Sequence, residues 1–154
     1  MKYELKILDR DYLEDIIAFD EMCFGKGHWK TGDWKELIED SRAVYYAFMD
    51  EEKIIAAAFI YNWKGEKDYI KLMNISVHPQ YRKSGLASSL LEVIKQELKE
   101  SGLNRIAGET RESNKAMQKV FESSGFTLNK IEPDCYTDPA ESGYKYIFTA
   151  KKIQ

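Results

Sequence analysis

Cysteine, proline, long apolar runs and an excess of either charge are all scarce in this sequence, and each scarcity removes a class of function. Only Cys23 and Cys135 occur in 154 residues, with no CxxC spacing. They read as two reduced thiols rather than a disulfide framework or a thiolate metal centre. The two histidines, His28 and His78, stand alone without spaced partners, so no metal is expected. Three prolines and no Pro/Gly/Ser-rich tract or repeat leave no linker, and residues 1–154 are expected to form one domain. No apolar run approaches the ~18 residues that a membrane span needs. Met1-Lys2-Tyr3-Glu4-Leu5-Lys6 carries charge where an export leader needs an apolar stretch, so the expected location is cytoplasmic. Lys and Arg number 23 against 26 Asp and Glu, a net charge of −3. That balance argues against nucleic-acid or membrane partners and mildly favours cationic ones.

What is present is regular patterning. Tyr3 to Ile7 alternates as a strand does. Asp9 or Asp11 could cap a helix carrying Leu13, Ile16, Ile17 and Met22, and Gly25 and Gly27 separate it from a second, with Trp34, Leu37 and Ile38 on one face. Val44–Met49 and Ile54–Trp63 read as a hairpin across Glu51-Glu52, and Tyr69–Val77 as a strand stopped by Pro79. Leu86, Leu90, Ile94 and Leu98 repeat every four residues up to Gly102, an amphipathic helix. A strand over Asn104–Thr110 comes next, then a helix capped by Ser113 with Met117, Val120 and Phe121 inward and Gly125 at its end. Phe126–Ile131 and Tyr144–Ala150 read as strands around a loop holding Pro133 and Pro139. The order predicts an α+β or mixed α/β fold with a largely antiparallel sheet.

The most informative stretch runs from Asn74 to Ala87. A strand ends and a glycine-containing turn, Arg82-Lys83-Ser84-Gly85-Leu86-Ala87, opens into the long helix. Free N–H groups at such a start, with the helix dipole behind them, bind anions. The small residues Gly85 and Ala87 let a diphosphate approach, and Arg82 and Lys83 add positive charge. Neither the Gly-Lys-Ser/Thr ending of a Walker loop nor the spacing of a dinucleotide fingerprint is present. The residues alone leave two readings, a phosphate-binding turn or an ordinary strand-to-helix connection.

The same turn, preceded by Val77-x-Pro79-x-Tyr81, resembles the acyl-CoA pyrophosphate loop of the GNAT N-acetyltransferases. Glu109-Thr110-Arg111-Glu112-Ser113-Asn114, followed by Ala116, Phe121 and Gly125-Phe126, is similar to that superfamily's next motif. Asn74-Ile75-Ser76-Val77 and Glu21-Met22-Cys23-Phe24, with Trp29 after them, resemble the branch that acetylates protein N-termini, ribosomal-protein alanine acetyltransferases included. The resemblance implies a sheet of about seven mostly antiparallel strands, splayed between its central strands near Val77 and Thr110 and flanked by about four helices. It implies acetyl-CoA as donor, with pantetheine bonded to the main chain of Ile75, Ser76 and Val77. The pyrophosphate would lie on the N–H groups of Arg82, Lys83, Ser84, Gly85, Leu86 and Ala87, and Asn114 would bond nearby cofactor atoms or else cap its helix. No metal is implied.

Glu109 stands where the resembling family places its general base. It would serve through one or two waters, or else be a solvated glutamate or a partner of Arg111. The family's usual tyrosine, the proton donor to the departing thiolate, is Phe121 here. A thiolate whose conjugate acid resembles cysteine, pKa ~8.5, leaves acceptably without help. Tyr136 and Tyr144 are alternative donors by chain order. Phe24, Trp29 and Tyr136 either line an acceptor pocket or pack in the core. Three functions stand open: an acetyltransferase for protein or peptide N-termini, one for small amines, and a non-catalytic acyl-CoA-binding module. An α-amine near pKa ~8 asks less of one glutamate than a lysine near ~10.4, which favours the first.

Overall fold

The computed structural model describes residues 3–25, 31–137 and 139–150. Seven strands form a mostly antiparallel sheet in the order β1-β2-β3-β4-β5-β7-β6. They are β1 (Glu4–Leu8), β2 (Ala43–Asp50), β3 (Lys53–Asn62), β4 (Tyr69–Val77), β5 (Arg105–Arg111), β6 (Thr127–Tyr136) and β7 (Glu141–Thr149). Four α-helices accompany them among the described residues: α1 (Leu13–Phe24), α2 (Thr31–Glu39), α3 (Leu86–Ser101) and α4 (Lys115–Ser123). The α+β class expected from the sequence is therefore the one found, and β4 has the limits read from it. The chain forms two compact units, the first running to Asn62 and resuming over Met73–Leu90, the second comprising Trp63–Leu72 and the residues from Leu91 onward.

The first unit is built on the β2–β3 hairpin. Ile54 to Ile60 are all buried, so β3 reads as a continuous apolar run. Trp34 of α2, 1% exposed, lies 5.2 Å from the Phe59 ring and 5.8 Å from that of Tyr45. Its indole N–H and the Asn74 amide both donate to the buried carboxylate of Asp20, at 3.1 and 3.0 Å. Those bonds tie α1, α2 and β4 together. Asp9 caps the short 3-10 turn Arg10–Tyr12 that leads into α1, accepting from the Asp11 N–H, rather than capping α1 itself. Met22, expected inward, is 46% exposed; Phe19 and Asp20 hold the buried positions instead.

In the second unit, β5 pairs antiparallel with β7 along its whole length, while its parallel pairing with β4 covers only Tyr69–Lys71 against Arg105–Ala107. The C-terminus of α3 is closed by Gly102 at φ 70°, with Gly102 N–H donating to Lys99 and Leu103 N–H to Leu98. The end of α4 repeats the device: Gly125 at φ 86° donates to Glu122, Phe126 to Phe121, and the two phenyl rings pack at 5.1 Å. Besides shifts at strand ends, such as β7 beginning at Glu141 rather than Tyr144, two differences from the sequence reading have a clear physical cause. Asn114, not Ser113, caps α4, its Oδ1 accepting from Met117 N–H at 3.1 Å. Pro133 lies within β6 rather than in a loop, because β6 is the sheet's outer strand, where a missing N–H costs nothing.

Candidate functional site

In the first unit the chain leaves β4 through His78, whose N–H donates to Ile55 at 2.8 Å. The 3-10 turn Pro79–Tyr81 is capped by His78 Nδ1, which accepts from Gln80 N–H at 3.1 Å. The Tyr81 hydroxyl donates to Asp50 at 2.8 Å, and Lys53 Nζ lies 5.2 Å over its ring. Tyr81 is thus a structural post for the turn at Arg82–Ala87. Lys83 and Gly85 both adopt positive φ, 63° and 82°, and the Ser84 hydroxyl donates to the Tyr81 carbonyl. Positive-φ residues alternating with ordinary ones are the backbone pattern from which anion-binding nests are built.

The first N–H of α3 to find its own helix is that of Ser89, which donates to Gly85 at 3.0 Å. Those of Leu86, Ala87 and Ser88 precede any such acceptor and stay available, as at any helix start. Nothing lies within 4 Å of where a Cβ at Gly85 would stand, and residues Arg82 to Gly85 are exposed. The turn therefore offers donors, positive charge and space together, and a diphosphate fits that chemistry.

Ile75, Ser76 and Val77 are half-buried. The Val77 carbonyl accepts from Arg82 Nε at 3.3 Å and from the Cys23 thiol at 3.8 Å, so Arg82 also braces the end of β4. Burial pushes the Cys23 thiol up to about 11, which leaves it protonated and inert near neutral pH. Phe24 is 41% exposed at the end of α1. Trp29 lies outside the described residues.

The second unit gathers the charged groups. Glu109 stands opposite Lys145 in the β5–β7 register, with Lys145 Nζ 3.8 Å from Glu109 Oε2 and 2.8 Å from Glu132 Oε2. The glutamate's neighbour is therefore Lys145 and not Arg111. The hydrogen bond to Glu132, aided by the Glu109 charge, holds the Lys145 ammonium above its ordinary range. Arg111 turns instead to Glu141, 3.0 Å away, and to main-chain carbonyls beyond Tyr136. Tyr136 is half-buried; burial first and the Glu109 charge second push its phenol up, so it keeps its proton at neutral pH.

Phe121, the departure from the family's pattern, is fully buried and stacked on Tyr146 at 4.9 Å. A Cβ at Gly108 would lie 3.0 Å from two of its ring carbons, so Gly108 and Phe121 are a fitted pair. With Asn114 Oδ1 engaged as the helix cap, the remaining hydrogen-bonding end of that side chain is its amide NH2. Sequence reasoning missed that Lys145 lies between Glu109 and Glu132, and it missed the partners of Arg111. No local pattern announces them, because each pair joins separate strands, or a strand and a connection, that only the sheet brings together. Among the described residues no group of three or more His, Cys, Asp or Glu is placed to hold a metal, and no helix is long and apolar enough to cross a membrane.

Comparison with known proteins adds independent findings. Residues 10–126 match the profile of the acetyltransferase (GNAT) family. A [ribosomal protein bS18]-alanine N-acetyltransferase from Haemophilus ducreyi is 29% identical over 124 residues, covering 79% of this chain and 81% of that protein. The enzyme of the same name from Escherichia coli is 38% identical over 69 residues, 45% of this chain and about half (47%) of the relative. The crystal structure of the ribosomal-protein-S18-alanine N-acetyltransferase from Escherichia coli superposes with a TM-score of 0.88, covering 99% of this chain and 96% of that one at 23% identity. A Bacillus anthracis protein crystallised in complex with acetyl coenzyme A shares the fold at a TM-score of 0.77 and 18% identity, covering 98% of this chain and all of that one.

Proposed function

The chain belongs to the acetyltransferase (GNAT) family and is an acyltransferase; on that premise we propose that it moves the acetyl group of acetyl-CoA to the α-amine of a protein or peptide N-terminus. The observation that carries the donor half is the Arg82–Ala87 turn, where two left-handed residues and an open helix start present N–H groups beside two cations. A diphosphate there would be held by main chain, with Arg82 and Lys83 neutralising its charge. Ile75, Ser76 and Val77 would carry the pantetheine arm, and the Asn114 amide would donate to the cofactor.

For the acceptor, Glu109 is the base. It takes a proton from the ammonium, directly or through water, and the neutral amine then attacks the thioester carbonyl. As the tetrahedral adduct collapses, the carbon–sulfur bond breaks, the electron pair leaves on sulfur, and the nitrogen's remaining extra proton passes through water to the thiolate or to solvent. Phe121 cannot supply a proton to that sulfur, and a thiolate whose conjugate acid lies near ~8.5 leaves without one. Phe24, Trp29 and Tyr136 would border the incoming peptide. The names carried by the Haemophilus ducreyi and Escherichia coli relatives support an N-terminal alanine of a ribosomal protein as the substrate class. A cytoplasmic location follows from such a substrate.

The test is a peptide bearing both an alanine N-terminus and an internal lysine, incubated with acetyl-CoA and read by mass spectrometry. Acetate on the α-amine is expected. Acetate on lysine alone, or on spermidine with no peptide modified, overturns the acceptor and leaves a small-amine enzyme.

A further inference from the structure

Arg111 ends β5 two residues beyond Glu109 and uses both terminal nitrogens of its guanidinium fork. Nη1 donates to the Pro139 carbonyl at 2.9 Å and to Glu141 Oε2 at 3.0 Å, and Nη2 donates to the Thr137 carbonyl at 2.9 Å. Its central carbon lies 4.6 Å from the centre of the Tyr136 ring. The other oxygen of Glu141 accepts the Ser113 N–H at 2.8 Å, just before the helix cap Asn114. Neutralising one carboxylate needs one contact; two main-chain carbonyls on the same connection fix a backbone. The Arg111 fork does the second.

We infer that Arg111 is a positioning residue for the acceptor: it holds the connection from β6 to β7 in the conformation that presents Tyr136 to the incoming amine. The inference rests on the acceptor reading above. It assigns Arg111 no contact with acetyl-CoA and no proton transfer. A lysine keeps the charge but has one nitrogen in place of a planar fork, so it cannot satisfy two carbonyls and a carboxylate in these directions.

The experiment compares wild type, Arg111→Lys and Glu141→Gln by steady-state kinetics in both substrates and by hydrogen exchange. Arg111→Lys should raise the acceptor KM about tenfold, equivalent to losing one charge-assisted hydrogen bond, and leave the acetyl-CoA KM unchanged. Exchange at residues 139–142 should quicken while β2 keeps its protection. Glu141→Gln should move the same quantities less, and it decides by the same split where Arg111→Lys does not fold. An Arg111→Lys enzyme with wild-type acceptor KM means charge alone suffices and overturns the inference; so does a parallel rise in both KM values. The kinetics use whichever amine the wild type acetylates. A wild type acting only on small amines therefore defeats the peptide reading, whereas an unmoved acceptor KM defeats the role of Arg111.

Discussion

The two units build their candidate sites from different parts of the chain. In the first, the anion turn is made of backbone, with φ angles of 63° and 82° at Lys83 and Gly85 and amides left open by a helix start. In the second, Glu109, Lys145, Glu132, Arg111 and Glu141 form a side-chain lattice across three strands. A backbone site depends on conformation and tolerates most side chains, whereas a side-chain site depends on identity and register. A mutation should hurt the first through shape and the second through chemistry.

The largest effect is expected where shape and charge coincide. Gly85→Glu forces a side chain onto φ 82°, costing about 1–2 kcal/mol, and adds a carboxylate where a diphosphate should sit. Calorimetry should register no acetyl-CoA binding by the folded variant, while Gly85→Ala, strain without charge, should lose less. Unchanged affinity in Gly85→Glu removes the turn from the site. Next comes Glu109→Gln, which keeps shape and deletes the proposed base: kcat should fall by about 10²-fold with acetyl-CoA affinity kept. The deficit should shrink as pH rises past ~8, where an α-amine is already neutral. A pH–rate profile parallel to the wild type would place the base elsewhere.

The smallest effect concerns a carboxylate–guanidinium pair that closes only two residues. Arg42 holds the Asp40 carboxyl at about 2 through hydrogen bonds at 2.8 and 2.6 Å. Because the folded value is depressed, the stability it contributes is present above the unfolded value near ~4 and is lost as pH falls toward about 2. Asp40→Asn should lower stability in urea by about 1 kcal/mol or less at pH 7, with the gap closing across that acidic window. A gap that stayed constant down to the bottom of that window would show that the pair does not stabilise the fold through its charge.

The same contrast explains how much could be read from the sequence. The α3 repeat Leu86, Leu90, Ile94, Leu98 and the turn before it are contiguous, so period and glycine position suffice. The hairpin turn at Glu51-Glu52 and the stop at Pro79 are legible for the same reason. The continuation of β6 beyond Ile131, through Pro133 to Tyr136, is not, since proline normally breaks strands and the position of β6 at the sheet's rim permits it. Ser113 reads as the cap because capping serines and asparagines are locally alike, and one residue of offset decides which N–H is reached. Phe121 is legible as a missing phenol but not as the lid of Gly108. Lys145 lies 36 positions from Glu109, and only the β5–β7 register makes them neighbours.

That rim has a bearing on how the protein behaves at high concentration. An outer strand with Leu128 and Ile131 exposed, at 40% and 49%, is the kind of edge onto which another chain can add a strand and seed a fibril. Along β6 the ladder slips between Glu132 and Tyr136, Pro133 offers no N–H, and Asp134 turns to φ 54°. A strand adding to this edge would lose a donor at Pro133 and meet a changed backbone direction at Asp134, which interrupts the ladder there. The kink around Pro133 thus also shortens the regular edge that β6 offers to a neighbouring chain.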